Sequence, residues 1–179
     1  MKELSLNILD ITKNSVSAGA KNILISLVTD NEGILTLRIV DDGCGMSEET
    51  VRNVTDPFYT TRTTRKVGMG IPLLKLASEQ TGGRLIIASS TDRVSHGTTV
   101  EATFDTQSID FMPIGDMAST VSILIGGSPD IDFEFTDTCG ERTVYLNTKE
   151  LRKVLGDEIS LAEPEIQMWI AEYLKEQYG

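Results

Sequence analysis

The chain has 179 residues, 40% of them apolar, and a formal net charge of −11. That length suits one good core, or one core with a small appendage, and no apolar run reaches the roughly 20 residues needed to span a bilayer. The acidic surplus disfavours a nucleic-acid partner, because polyphosphate binding draws on clustered Lys and Arg, and two cysteines, Cys44 and Cys139, make no disulfide framework.

The opening stretch MKELSLNILDITKNS lacks the apolar core of a signal peptide, so a cytoplasmic protein is expected. Leu4, Ile8 and Ile11 recur at helical spacing and Gly19 supplies a stop, which predicts a helix over 4–18. Asn7, Asp10, Asn14 and Ser17 form a polar stripe along it. Residues 22–29 and 34–40 alternate like strands, with hairpin chemistry at Asn31-Glu32-Gly33. Residues 53–69 have no apolar period, are rich in Thr and basic residues, and read as a long functional loop. A helix follows from Ile71, with Pro72 in its first turn and Gly82-Gly83 closing it. Strands at 84–89 and 98–104 complete a unit that ends near Asp105.

Residues 106–113 read as a linker. Beyond it come a helix at about 114–125, a hairpin of 131–135 and 143–146 turning at Cys139-Gly140, and two helices. The last starts at Pro164 and is expected to bury Ile166, Trp169, Ile170 and Tyr173 on one face. Asp110, Asp116, Asp130, Asp132, Glu134 and Asp137 lack calcium-loop spacing, and the acids of the hairpin read as its solvated face.

The chemistry concentrates in the first unit. In VDDGCGM, Asp41 ends an apolar strand, where a carboxylate is costly unless something pairs with it. The exocyclic amine of a purine is such a partner, and Gly43 and Gly45 leave a flat ring space against the backbone. A plain Asp-Gly turn is the other reading of this stretch. On the helix, Asp10 and Asn14 lie one turn apart, and their oxygens suit Mg²⁺, which accompanies phosphates. Alternatively, the stripe is the solvated face of an amphipathic helix. DPFYTTR brings the hydroxyls of Thr60 and Thr61 and the cation Arg62. KVGMGI places Gly68, Met69 and Gly70 before a helix whose N–H groups suit an anion. The phosphate-loop pattern GxxxxGK[ST] is absent, and no strand leads directly into the glycines as the dinucleotide fingerprint requires.

Taken in order, KNSVSAGA, DDGCGM, DPFYTTR, VGMGI and HGTTV resemble the N, G1, F and G2 boxes of the GHKL ATP-binding superfamily over about residues 1–105. DPFYTTR followed by GMGIPLLKLASEQTGGRL is most similar to the catalytic domain of histidine kinases, and KNSVSAGAKNILISL also resembles the mismatch-repair group. The resemblance implies a Bergerat-type α+β two-layer sandwich for 1–105; the pattern beyond it reads as a linker at 106–113 and a small α-β-β-α-α appendage at 114–179 for partner docking or dimerisation. It implies ATP and Mg²⁺ as ligands. Asn14 would ligate the metal, and Asp41 would accept from the adenine amine with Thr98 supporting it through water. Gly43 and Gly45 would make room for the base. Phe58 would anchor the lid and Arg62 would serve as its cation, with Thr60, Thr61 and Met69 also lining the site. Gly68 and Gly70 would present N–H groups to the phosphates.

This sequence departs from the family's pattern in three places. Hydrolytic members carry Glu four residues before the metal Asn, where this chain has Asp10, a candidate base one methylene shorter. Lys66 stands where the kinase G2 box has an early glycine. Only a few residues precede the N box, where a sensor kinase carries a dimerising domain with a phospho-acceptor His. The only histidine, His96, lies in the loop leading to Thr98, at the base end of the site. Two readings follow: a stand-alone kinase acting on a His or Ser of another protein, or an ATP-gated interaction module with slow hydrolysis at most. A mismatch-repair-like DNA clamp is disfavoured by the charge.

Overall fold

A computed structural model describes residues 3–56 and 69–179. In chain order the elements are α1 (Leu4–Ser17), β1 (Asn22–Thr29), β2 (Ile34–Asp41), α2 (Glu48–Asn53), α3 (Gly70–Gln80), β3 (Leu85–Ser90), β4 (Gly97–Asp105), α4 (Met117–Gly127), β5 (Asp132–Cys139), β6 (Arg142–Asn147), α5 (Thr148–Leu155) and α6 (Pro164–Tyr178). The six strands form one mixed sheet in the order β3-β4-β2-β1-β5-β6. All neighbours are antiparallel except β1 and β5.

The sheet has one dry face and one wet face, as the period-2 alternation dictates. Ile23, Ile25 and Leu27 of β1, Leu35, Leu37 and Ile39 of β2, and Val100, Ala102 and Phe104 of β4 are buried. They meet Leu4, Ile8 and Ile11 of α1, Leu74 and Ala77 of α3, and Val121, Leu124 and Ile125 of α4 in one core. The other face carries polar pairs such as Arg38 and Glu101, which are cross-strand partners 3.2 Å apart. This is the two-layer α/β sandwich expected for the first unit.

Residues 114–179 contribute their strands to the same sheet. β5 runs parallel to β1 from Asn22↔Asp132 to Thr29↔Cys139, and its buried Phe133 and Phe135 extend the same dry face. α4 is therefore a crossover between two parallel strands, β4 and β5, the connection such strands require. The stretch between β4 and α4 contains no helix or strand, but it is anchored. Phe111 packs edge-on to Phe104 at 5.9 Å. The carbonyls of Pro113 and Ile114 accept from the first-turn N–H groups of Leu4 and Ser5, which α1 itself cannot satisfy.

Four features differ from the sequence expectations. α2 was not expected, although Ser47 followed by Glu48 and Glu49 is a helix start, and the Ser47 hydroxyl accepts from Thr50 N–H. Asn7, in the expected polar stripe, is fully buried, because α3 covers that side of α1. On α6, Ile170 and Leu174 point inward, whereas Trp169 and Tyr173 are 46% and 37% exposed. Asp137 is buried rather than solvated, because it sits on the dry face of β5, where the Tyr178 hydroxyl donates to it at 2.6 Å.

Candidate functional site

VDDGCGM lies where β2 leaves the sheet, and its two aspartates divide the work. Asp41 is the last residue of β2, paired with Ile23 on one side and Thr98 on the other. Its side chain follows Leu35, Leu37 and Ile39 onto the helix-covered face. There Oδ2 accepts from the Ser15 hydroxyl at 2.6 Å, and Oδ1 accepts from Gly43 N–H at 2.8 Å. A carboxylate offers about four lone-pair sites, so two remain for an incoming donor. Asp42 instead ties down the start of β1. It accepts from the Lys21 and Asn22 N–H groups and from the Asn22 side chain. Burial alone would raise its pKa, but these hydrogen bonds outweigh that and hold it below the usual carboxylate value.

The turn after Asp41 is gripped from both sides. Cys44 N–H donates to the carbonyl of Ala18, just past α1, at 2.9 Å. A Cβ on Gly43 would stand 2.9 Å from the Cβ of Ala18. At Gly45 the backbone has φ +76°, and a Cβ would stand 1.8 Å from the carbonyl oxygen of Ser90. The two glycines thus allow the turn to close onto α1 and the β3–β4 hairpin, a requirement that holds with or without a base beside them. The hairpin adds two contacts. His96 Nδ1 lies 2.6 Å from the Gly43 carbonyl, the geometry of an Nδ1–H donor. The Met46 N–H donates to the Ser89 hydroxyl, which also lies 2.7 Å from the Thr98 hydroxyl. Thr98 is thus opposite Asp41 in register, while its hydroxyl is engaged by Ser89. An open depression of about 320 Å³ borders Asp41, Ser89, His96 and Thr98.

On the helix side, Asn14 is half-buried and Asp10 is exposed. Gly70 opens α3 directly against Asp10: a Cβ there would lie 3.4 Å from both the Asp10 Cβ and the Ile11 Cγ1. Asn7 Nδ2 reaches the Gly70 carbonyl at 3.5 Å, and its Oδ1 is buried without a partner among the described residues. Among the described residues no side chain caps α3, and the N–H groups of Gly70 and Ile71 at its start suit an anion. Phe58, Thr60, Thr61, Arg62 and Gly68 lie outside the described residues.

The donors present suit a magnesium nucleotide. Among the described residues no group of three His, Cys, Asp or Glu could hold a metal ion. Asn14 instead offers a single amide oxygen with Asp10 one turn away. That suits Mg²⁺, which takes one or two protein oxygens and completes its shell with phosphate and water. Asp41 offers the acceptor that an adenine amine needs.

Comparison with known proteins decides the family. Residues 1–108 match the family described as histidine kinase-, DNA gyrase B- and HSP90-like ATPase. The chain belongs to this ATPase family. No curated protein matches it significantly. Among solved structures, an N-terminal domain of a DNA repair protein superposes with a TM-score of 0.59 at 15% identity, covering 88% of this chain and 58% of that one. The chain thus spans under two thirds of that relative, and at this identity the likeness concerns the fold. A mycobacterial sensor histidine kinase, MprB, gives a TM-score of 0.45 at 20% identity over 55% of this chain and 68% of its own.

The structure pairs Asp41 with Thr98 in the sheet and sets Gly70 against Asp10, one turn from Asn14 on α1. The sequence places His96 at the base end of the site but not its contact with Gly43, and it does not identify Ser15 or Ser89. Ser15 had no local signal as the partner of Asp41, because it reaches Asp41 across 26 residues of sequence. The contacts of His96 and Ser89 had none either, because both reach the turn through the β3–β4 hairpin. No helix among the described residues is long and apolar enough to cross a membrane.

Proposed function

We propose that this chain binds ATP with Mg²⁺ and acts as a protein kinase toward a partner protein in a bacterial regulatory system. The observation that carries the nucleotide reading is Asp41. It is a strand-end carboxylate oriented by Ser15 and Gly43 on the helix-covered face, with two lone pairs to spare. In this reading Asp41 holds the adenine amine, Gly43 and Gly45 border the base, and Thr98 steadies that end through Ser89. The first N–H groups of α3, with Met69 and Gly70 at its start, face the phosphates. Asn14 holds the metal, which when bound neutralises charge developing on the transferred phosphoryl group. The γ-phosphoryl bond to the β-phosphate oxygen breaks and a bond to the partner's acceptor atom forms; a Ser hydroxyl gives its proton to Asp10, whereas a His attacks through its unprotonated ring nitrogen. Phe58, Thr60, Thr61, Arg62 and Gly68 complete the binding set in this proposal.

His96 bonds to the Gly43 carbonyl at the base end of the site, so it is not the acceptor in this reading. The phosphoryl group passes to a His or Ser on another polypeptide. We place the protein in the cytoplasm, with neither membrane nor nucleic acid as partner, and assign residues 114–179 to partner docking or homodimerisation.

A second reading, an ATP-gated interaction module with slow hydrolysis at most, draws support from Asp10. It is one methylene shorter than the Glu that hydrolytic members carry. Incubation with γ-labelled ATP, alone and with candidate partners, separates the two. Label on an added partner supports the kinase. Absence of label with ATP-dependent partner binding supports the gated module.

A further inference from the structure

The outward side of α6 does not look like an ordinary solvated face. Its inward side buries Ile170 and Leu174. Glu165, Met168, Trp169, Glu172, Tyr173 and Glu176 are all exposed and fall at the spacings of three and four that define a single helical stripe. Trp169 and Tyr173 stack with centroids 4.8 Å apart and an interplanar angle of 11°. Tyr173 therefore covers one face of the indole. Exposures of 64% for Met168 and 46% for Trp169 leave apolar surface open between three carboxylates. The only basic residue of α6 is Lys175. Its charge adds to the Ser119 hydrogen bonds that hold the Asp116 carboxyl, at the start of α4, below its usual pKa.

Charge decides what such a surface can receive. A second copy packed face to face would set Glu165, Glu172 and Glu176 against themselves, since a two-fold interface is self-complementary. An anionic membrane or a nucleic acid would be repelled by the same carboxylates. A guanidinium or ammonium gains twice, from the face of an indole and from flanking carboxylates. We propose that the outward stripe of α6 docks a basic segment of another protein, with an Arg or Lys side chain lying on the face of Trp169 away from Tyr173 and pairing with Glu165 or Glu172. This surface stands apart from the nucleotide site and does not depend on that assignment.

Trp169 is the only tryptophan, so its fluorescence reports this surface alone. The test titrates the full chain with a short Arg-rich peptide and with the same peptide carrying neutral citrulline in place of Arg. A saturable change with the first and none with the second is expected. Glu165→Gln with Glu172→Gln should weaken binding by about fivefold or more, as loss of two exposed ion pairs implies. Glu48→Gln with Glu49→Gln, a control pair on α2, should leave binding within about twofold of wild type. Tyr173→Ala, with its fold checked by circular dichroism, should also weaken binding. An unchanged Trp169 signal would overturn the proposal. So would equal loss in the α2 control pair, which would indicate net charge alone. A signal that depends on protein concentration without peptide would assign the face to a second copy, and one that follows anionic vesicles would assign it to a membrane.

Discussion

Asp41 shows how a single side chain is prepared for a ligand. Its two bonds, from Ser15 and Gly43, use one site on each oxygen and fix the carboxylate plane, so an incoming amine finds an oriented acceptor. Asp41→Asn turns half of that acceptor into a donor, which would face the amine donor against donor. The expected cost is about 1–3 kcal/mol of Mg-ATP affinity, measured by calorimetric titration, and unchanged affinity would remove the assignment. Ser15→Ala leaves the charge but frees its orientation. It should weaken ATP binding by a smaller amount, on the order of 1 kcal/mol, with the folded stability nearly intact. Asp41 was readable from sequence because a carboxylate closing an apolar strand is costly without a partner. Ser15 as that partner was not, because the bond spans α1 and β2, 26 residues apart.

Elements fit together here through backbone proximity. The turn after β2 reaches the β3–β4 hairpin so closely that Gly45→Ala would drive a methyl group into the Ser90 carbonyl, at a left-handed φ. Loss of about 2 kcal/mol or more in urea unfolding is expected, together with weaker ATP binding as the turn lifts. The end of α6 gives a second case. The Tyr178 hydroxyl donates to buried Asp137, and the Arg142 guanidinium lies 5.2 Å from the ring centroid. Burial first, and then the hydrogen bond and charge of Asp137, push the Tyr178 pKa up strongly. A raised pKa means that stability from this phenol is full below the unfolded value of about 10 and is lost as pH climbs beyond it. The stability gap between wild type and Tyr178→Phe should therefore be widest at neutral pH and shrink above about pH 10 in denaturant titrations. A gap that stays constant across that range would mean Tyr178 acts through packing alone.

For the molecule as a whole, the question is what residues 114–179 do for the rest. β5 pairs with β1 along its full length, α4 packs on α1, and the chain between β4 and α4 caps the start of α1. Removing residues 114–179 would leave the β1 edge unpaired and uncover the dry face of the sheet beside it. Wild type should unfold in one transition, and a chain ending at Pro113 should be markedly less stable, with its amides less protected against hydrogen exchange. A truncated chain with undiminished stability would show instead that the second segment is dispensable for folding.

Local order came from the chain itself. The periods of α1, β1, β2 and β4, the turn at Gly33 and the stop at Gly19 depend on residues within a few positions of each other, so propensity and alternation suffice to read them. The family boxes were legible for the same reason, being short runs whose chemistry is local. Tertiary structure decided the rest. Trp169 and Tyr173 obey a helical apolar period and still face water, because α6 has two apolar sides and only one meets the core. Asn7 and Asp137 look solvent-facing by type, and each is enclosed by a distant element. The join of β5 to β1 pairs residues 110 apart, from Asn22↔Asp132 onward. Such pairings depend on which dry faces can be covered together, a property of the assembled layers that no short window of sequence contains.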